Sequence, residues 1–172
     1  MARKSSEHRK TARQKKARYV LVLHNIRSVH NVGSLFRTAD AVGITEIILS
    51  GYTPTPTDRF GRMRQDFAKC SLGSEKTVPW EYVKSPNRRI SAMRSEGFAV
   101  VGVEQDARSV DYKTVRRTPL MAFILGTETT GMSRSLLSLC DQVAEIPMHG
   151  GKESLNVSVA GGIVLYRVLD KR

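Results

Sequence analysis

The chain has 172 residues, of which 40% are hydrophobic and 26% are charged, as is usual for one globular domain. No run approaches the ~20 apolar residues of a membrane span, and the charged start does not resemble a secretory signal, so we expect a cytoplasmic protein. Its two cysteines, Cys70 and Cys140, are isolated, which argues against a disulfide scaffold or a thiolate metal site. The net charge of +12 favours a polyanionic partner.

Much of this positive charge lies at the start of the chain. Residues 1–18 contain eight of the 28 Lys and Arg residues and one acid, Glu7. We expect a basic, flexible arm over residues 1–18 that binds phosphates and a single domain over residues 19–172; the alternative is a solvated tail that only aids solubility. The basic residues of the arm are Arg3, Lys4, Arg9, Lys10, Arg13, Lys15, Lys16 and Arg18.

The first elements after the arm have clear patterns. Residues 19–23 form a continuous apolar run, which predicts a strand buried on both faces. A helical pattern begins at Asn31 and ends at Gly43, and residues 44–49 predict a second strand. The proline-containing loop at 51–56 is expected on the surface.

The remaining chain continues to alternate between strands and helices. Residues 59–78 give no clear pattern. Apart from this stretch, the alternation of strands and helices predicts an α/β domain whose mostly parallel sheet is flanked by helices. Strands are predicted at 98–103, 120–125 and 143–146, and helices at 88–95, 133–139 and 156–169.

Three polar, glycine-containing segments lie where strands give way to helices. The first covers residues 25–37, and its junction exposes backbone N–H groups at which anions can dock. Its simpler interpretation is an asparagine N-cap, Asn31, followed by a surface arginine, Arg37. The segment therefore does not establish a site by itself.

The second segment, residues 125–133, follows a buried strand, where ligands bind in open α/β sheets. Gly126 and Gly131 would let the backbone approach a ligand closely. The segment lacks the fingerprints of a Walker loop and of a dinucleotide-binding loop. A tight connection is the alternative interpretation.

The third segment, residues 146–158, again runs from a strand end to a helix start. Ser154 could simply cap the helix, whereas Asn156 is a poor helix former and is less well explained by capping. Glycines within the run 160–162 are costly in a helix, so we expect a close helix–helix or subunit contact there.

In this order the three segments read NxGxxxR, GTExxG, and IPM followed by SLNVSVA. They resemble the three signature motifs of the SpoU/TrmH RNA methyltransferases of the SPOUT superfamily. The resemblance extends from about Tyr19 to the C-terminus. It implies a SPOUT-type open sheet with a deep C-terminal trefoil knot, a homodimer, and S-adenosyl-L-methionine (AdoMet) as cofactor, with no metal and no membrane partner.

The resemblance also implies the residues of the site. The reaction would be methylation of a ribose 2′-hydroxyl in tRNA or ribosomal RNA, with tRNA slightly favoured by the small frame. The catalytic candidates are Asn31, Arg37, Glu128, Ser154 and Asn156. The candidates for cofactor binding are Leu125, Gly126, Thr127, Gly131, Ile146, Met148 and Leu155.

Many relatives carry additional substrate-binding segments, so RNA recognition here would rest on the arm, the dimer surface and three arginines, Arg59, Arg62 and Arg64. An ordinary solvated face is an equal alternative for these three. Two rival functions remain open at this point: an RNA-binding protein of the same fold without activity, and a SPOUT enzyme that methylates a base. AdoMet binding and the position of the methyl group distinguish them.

Overall fold

The computed structural model describes residues 17–127 and 131–170. Within these ranges seven strands form one sheet in the order β3-β2-β1-β6-β4-β7-β5, and every pairing between them is parallel. The strands are β1 (Arg18–His24), β2 (Glu46–Ser50), β3 (Trp80–Val83), β4 (Ala99–Val103), β5 (Val110–Asp111), β6 (Leu120–Leu125) and β7 (Gln142–Glu145).

Helices connect most consecutive strands, as is usual for parallel pairing, whereas a loop leads from β4 to β5 and a 3₁₀ turn lies between β5 and β6. The predicted α/β class with a parallel sheet is confirmed, while the knot stays a prediction. None of the described helices is long and apolar enough to cross a membrane. The helices are α1 (Val29–Val42), α2 (Gln65–Ser71), α3 (Ser74–Thr77), α4 (Asn87–Ser95), α5 (Arg134–Leu137) and α6 (Val157–Leu169), with a 3₁₀ turn at Tyr112–Thr114.

Strand β1 is buried on both faces, as its apolar run predicts. Tyr19, Leu21 and Leu23 join the core that packs under α1, α2 and α6. Val20 and Val22 join the opposite core, which packs under α4 and α5. A strand in the middle of such a sheet has no polar face, and this explains its lack of alternation.

Helix α1 begins earlier than its sequence pattern predicts. Ser28 is the N-cap, and its side chain accepts a hydrogen bond from the backbone N–H of Asn31 at 3.3 Å. The interpretation of Asn31 as the cap is therefore wrong. The predicted end is confirmed, because Gly43 adopts the left-handed conformation (φ 79°) and its N–H bonds to Ala39, as a C-terminal glycine does.

The start of helix α6 also differs from the simpler interpretation. Asn156, not Ser154, is the N-cap, and its Oδ1 accepts from the N–H groups of Ser158 and Val159 at 2.9 and 3.4 Å. Within the helix, a Cβ placed on Gly161 would approach Leu35 of α1 to 2.7 Å. The close helix–helix contact expected at 160–162 is therefore present within one chain.

The sequence patterns missed the two edge strands. Strand β3 is mostly half-buried and β5 has two residues, so neither offers the periodicity of an interior strand. The unassigned stretch 59–78 contains α2 and α3. The predicted arm is one residue too long, because Arg18 belongs to β1, pairs with Leu120, and contacts Glu96 at 3.2 Å.

Candidate active site

A cavity of about 500 Å³ opens at the carboxyl ends of β4, β6 and β7. The first turn of α6 and the loop before it close its other side. Ligands of open parallel sheets bind at this edge, because loops and helix starts converge there. The residues on its wall include Val103, Glu104, Leu125, Gly126, Ala144, Ile146, Leu155 and Val157.

The second and third predicted segments meet in this cavity. All seven candidates for cofactor binding lie on its wall, as does the catalytic candidate Ser154. Glu128 lies outside the described residues. The seven are Leu125, Gly126, Thr127, Gly131, Ile146, Met148 and Leu155.

Gly126 is required by the packing of the cavity wall. A Cβ at this position would lie 2.7 Å from Cγ of Met132 and 3.3 Å from its backbone nitrogen. Met132 is itself buried, so neither group can move away cheaply. The glycine therefore lets the loop after β6 fold back tightly beside the cavity.

The first segment reaches the third through one hydrogen bond. Nδ2 of Asn156 donates to Oδ1 of Asn31 at 3.1 Å, which joins the starts of α6 and α1. Arg37 is placed differently: it is exposed on α1, eight positions after Val29, and it is not among the residues lining the cavity of its own chain. The structure thus brings together Asn31, Ser154 and Asn156, but not Arg37.

The cavity is acidic within a strongly basic protein. Four carboxylate residues line it, and none of the described lining residues is Lys, Arg or His. The negative charge of the wall is unfavourable for a phosphate and favourable for a ligand that carries positive charge. The four are Glu104, Asp106, Glu145 and Glu153.

Glu104 is held in place by two backbone N–H groups, and the sequence motifs do not include it. Its Oε2 accepts from the N–H of Met132 at 2.9 Å and its Oε1 from the N–H of Gln105 at 3.0 Å. A Cβ on Gly131 would approach Oε2 to 2.7 Å. Its position directly after β4, at the carboxyl edge of a predicted strand, is the signal that could have identified it.

The three arginines predicted to bind RNA are partly engaged with acids. Arg62 pairs with Asp58 at 2.8 Å and Arg64 with Asp66 at 2.6 Å, whereas the guanidinium of Arg59 lies 4.8 Å from the ring centre of Phe60. Seven of the eight predicted arm residues, Arg3, Lys4, Arg9, Lys10, Arg13, Lys15 and Lys16, lie outside the described residues. Within the described chain no group of His, Cys, Asp and Glu residues is arranged to hold a metal ion.

Comparison with known proteins identifies the family. A protein of Staphylococcus epidermidis assigned to the TrmH family of tRNA/rRNA methyltransferases is 35% identical over 161 residues, which cover 92% of this chain and 62% of that protein. The chain thus spans about three-fifths of the length of the curated relatives it matches.

Solved structures share the fold. The A. aeolicus TrmH/SpoU tRNA modifying enzyme aligns with a TM-score of 0.76 and 28% identity over 88% of this chain and 74% of its own. The AdoMet-bound rRNA methyltransferase from Sinorhizobium meliloti aligns with a TM-score of 0.79 and 29% identity over 89% and 56%. The sequence profile of the SpoU rRNA Methylase family matches residues 18–166, and the chain therefore belongs to that family.

Proposed function

We propose that this chain transfers a methyl group from AdoMet to a ribose 2′-hydroxyl of structured RNA. One observation carries the proposal: a single cavity unites two of the three motif segments, and the Asn31–Asn156 hydrogen bond joins the third to them. Both tRNA and rRNA are candidate substrates, because a tRNA modifying enzyme and an rRNA methyltransferase share the fold.

The residues of the cavity fit AdoMet. This molecule carries a sulfonium and an ammonium group and no phosphate, which suits a wall with four carboxylates and no described basic residue. The apolar side chains of Leu125, Ile146 and Met148 offer a surface for the adenine. When bound, AdoMet supplies an electrophilic methyl group, whose bond to sulfur breaks as its bond to O2′ forms.

Arg37 is assigned to the ribose. A guanidinium remains protonated in almost every protein environment, so its first role is to donate hydrogen bonds to the developing alkoxide and to the neighbouring phosphate. The hydroxyl proton then passes to that phosphate, or to an Arg37 neutralised in a desolvated site. Asn31 orients Arg37 or the ribose, and Ser154 and Asn156 surround the reacting centre. Glu128, the acid of the second motif, would fix loop geometry or pair with a cation.

A second copy of the chain would complete the site. Helix α6 leaves a stripe of Val159, Ile163 and Tyr166 on its outer side, with Val159 and Tyr166 each 49% exposed. Residues at this spacing form one apolar face, which a homodimer would cover. Since Arg37 does not line the cavity of its own chain, the dimer also provides a route by which it reaches the cavity of the partner.

The dimer is tested by sedimentation velocity with Tyr166→Asp. This substitution should produce monomers and abolish methyl transfer, because a charge in an apolar interface is costly. Leu72→Asp is the control, as Leu72 is exposed and lies outside this stripe. A Tyr166→Asp protein that sediments like the wild type would contradict the proposed interface.

The reaction is tested in two steps. Calorimetry with AdoMet comes first, and an absence of binding at high micromolar ligand would favour an RNA-binding protein without activity. RNA methylated with labelled AdoMet is then digested to nucleosides and analysed by mass spectrometry. We expect the label on ribose; a label on a base would replace the proposal with base methylation. Separate tRNA and rRNA fractions identify the substrate.

A further inference from the structure

A second groove lies at the carboxyl ends of β2 and β3, beside the cavity. It is formed by the loop after β2 together with residues of β3. The described residues include four large aromatic side chains that are exposed. Two of them, Tyr52 and Tyr82, line the groove, and a third, Phe60, follows the lining residue Arg59 on the same loop. We call Tyr52, Phe60 and Tyr82 the aromatic patch. A cluster of exposed aromatic rings is typical of a binding surface.

Arginines accompany two of these rings. The guanidinium of Arg27 lies 5.8 Å from the ring centre of Tyr52. Those of Arg59 and Arg62 lie 4.8 and 5.1 Å from the ring centre of Phe60. Flat rings interleaved with cations are suited to a polyanion with flat apolar groups, which describes single-stranded nucleic acid.

The loop that carries Phe60 is held in shape before any ligand binds. Thr57 and Met63 form an antiparallel bridge, and the carboxylate of Asp58 accepts from the N–H groups of Phe60 and Arg62 at 2.8 and 3.0 Å. The hydrogen bond from the Arg62 backbone, with others, holds the pKa of Asp58 below its usual value. A preformed loop lowers the entropic cost of binding.

The aromatic patch and the cavity share a contact. Oη of Tyr52 bonds to Oγ1 of Thr127 at 3.2 Å, and Thr127 lies on the cavity wall. The backbone N–H of Tyr52 donates to Asn25 at 3.2 Å, which fixes the start of the loop to the end of β1. A ligand in the groove therefore lies next to a ligand in the cavity.

We propose that the aromatic patch binds an unpaired nucleobase of the substrate RNA, adjacent to the nucleotide whose ribose enters the cavity. The base stacks on the exposed rings, and Arg27 and Arg59 contact the flanking phosphates. This inference rests on the proposed function, because it assumes that the ligand of the aromatic patch is part of the RNA that is methylated at the cavity. It makes the groove a determinant of which unpaired nucleotides the enzyme accepts.

The sole tryptophan of the chain, Trp80, lines this groove and provides a direct readout. The full chain is titrated with a ten-nucleotide oligo(A) and with an abasic ribose-phosphate oligomer of the same length. We expect oligo(A) to quench the Trp80 fluorescence and to bind about 5- to 150-fold more tightly, because stacking on aromatic side chains contributes about 1–3 kcal/mol per base. Equal affinities for the two oligomers would overturn the inference.

Phe60→Ala locates the stacking. Phe60 is 66% exposed, so its removal leaves the core intact. Oligo(A) binding, followed by anisotropy of a labelled oligomer, should weaken about tenfold, abasic binding should not change, and Phe60→Tyr should restore affinity. Leu72→Ala is the matched control, because Leu72 is 67% exposed and lies at the end of α2, away from the loop that carries Phe60. A Phe60→Ala protein that binds like this control would overturn the assignment.

The same proteins separate this inference from the proposed function. AdoMet affinity is measured by calorimetry, and methyl transfer to RNA gives kcat and KM. Phe60→Ala should raise the KM for RNA while leaving AdoMet affinity unchanged. Unchanged kinetics of Phe60→Ala beside an active wild type would overturn the base contact alone. Base-dependent quenching by a wild type that does not bind AdoMet would overturn the proposed reaction and support the groove.

Discussion

Arg37 is exposed on α1 and has no ion pair with any residue in the described parts of the chain. Arg37→Ala should lower methyl transfer at least about 100-fold, since a donor to a developing oxyanion contributes that much. AdoMet affinity should stay within a few fold, because Arg37 is assigned to the ribose and its phosphate rather than to AdoMet, and it does not line the cavity of its own chain. Radiolabel transfer and calorimetry measure the two effects. Arg37→Lys is the comparison variant, because it keeps the positive charge but lacks the planar guanidinium fork. Full activity of the alanine variant would remove Arg37 from the mechanism.

Cys140 gives a test of local burial that is independent of function. Burial raises the pKa of its thiol to about 11, so the reactive thiolate is scarce at neutral pH. Its alkylation by iodoacetamide should accelerate about tenfold per pH unit from pH 8 to pH 10. Peptide mass spectrometry measures the rate, and the denatured protein, whose rate should level off near pH ~8.5, is the control. A native rate that levels off by pH 9 would contradict the burial.

Among the secondary-structure elements, those with a clear hydrophobic pattern were predicted correctly from the sequence. Residues 120–125 coincide with β6, because a buried strand is a continuous apolar run between turns. Edge strand β3 was missed because most of its side chains are only half-buried. The N-caps at Ser28 and Asn156 were misassigned, since several polar residues precede each helix and only three-dimensional geometry selects the one that caps.

Asn156 has two separable roles, because Oδ1 caps α6 while Nδ2 reaches Asn31. Asn156→Ala should cost about 1 kcal/mol in the free energy of unfolding because the cap is removed. Asn156→Ser keeps a capping oxygen but is too short to reach Asn31, so it should remain nearly as stable while methyl transfer falls. Denaturant unfolding and transfer assays measure these effects. A serine variant with full activity would show that the Asn31 contact is dispensable.

Two adjacent glycines of α6 form a matched pair. A Cβ on Gly161 would lie 2.7 Å from Leu35 and 2.8 Å from Leu125, whereas one on Gly162 meets nothing within 4 Å. Gly161→Ala should therefore lower the free energy of unfolding by about 1–3 kcal/mol through overpacking. Gly162→Ala should raise it by about 0.5–1 kcal/mol through helix propensity. Denaturant unfolding at several protein concentrations measures both, and a destabilisation by Gly162→Ala that grows on dilution would place Gly162 in the subunit interface.

For the whole molecule, the motif residues predicted the cavity wall but not its charge. Their order along the chain identifies loops at strand ends, and parallel strands bring such ends to one edge. Glu104 follows β4, a strand with no motif after it, and Glu145 ends β7, just before the third segment. Their convergence depends on the strand order β6-β4-β7. That order, like the contact between Tyr52 and Thr127, is a long-range property that local patterns do not contain.

The distribution of charge over the whole chain assigns AdoMet binding and RNA binding to different parts of the molecule. The cavity wall is acidic, so the attraction for RNA must come from elsewhere, and residues 1–16 hold seven of the 28 basic residues. Deleting residues 2–16 should weaken RNA binding and make the dependence of log K on log salt shallower, by about 0.7–0.9 for each phosphate that the arm no longer neutralises. Binding measured between 50 and 300 mM salt tests this, with an arm of equal length whose Lys and Arg are replaced by Gln as control. Both variants should show the same shallower slope if charge is responsible. An unchanged slope in the Gln variant would make the arm a bystander and leave Arg27, Arg59 and the dimer surface as the sources of RNA affinity.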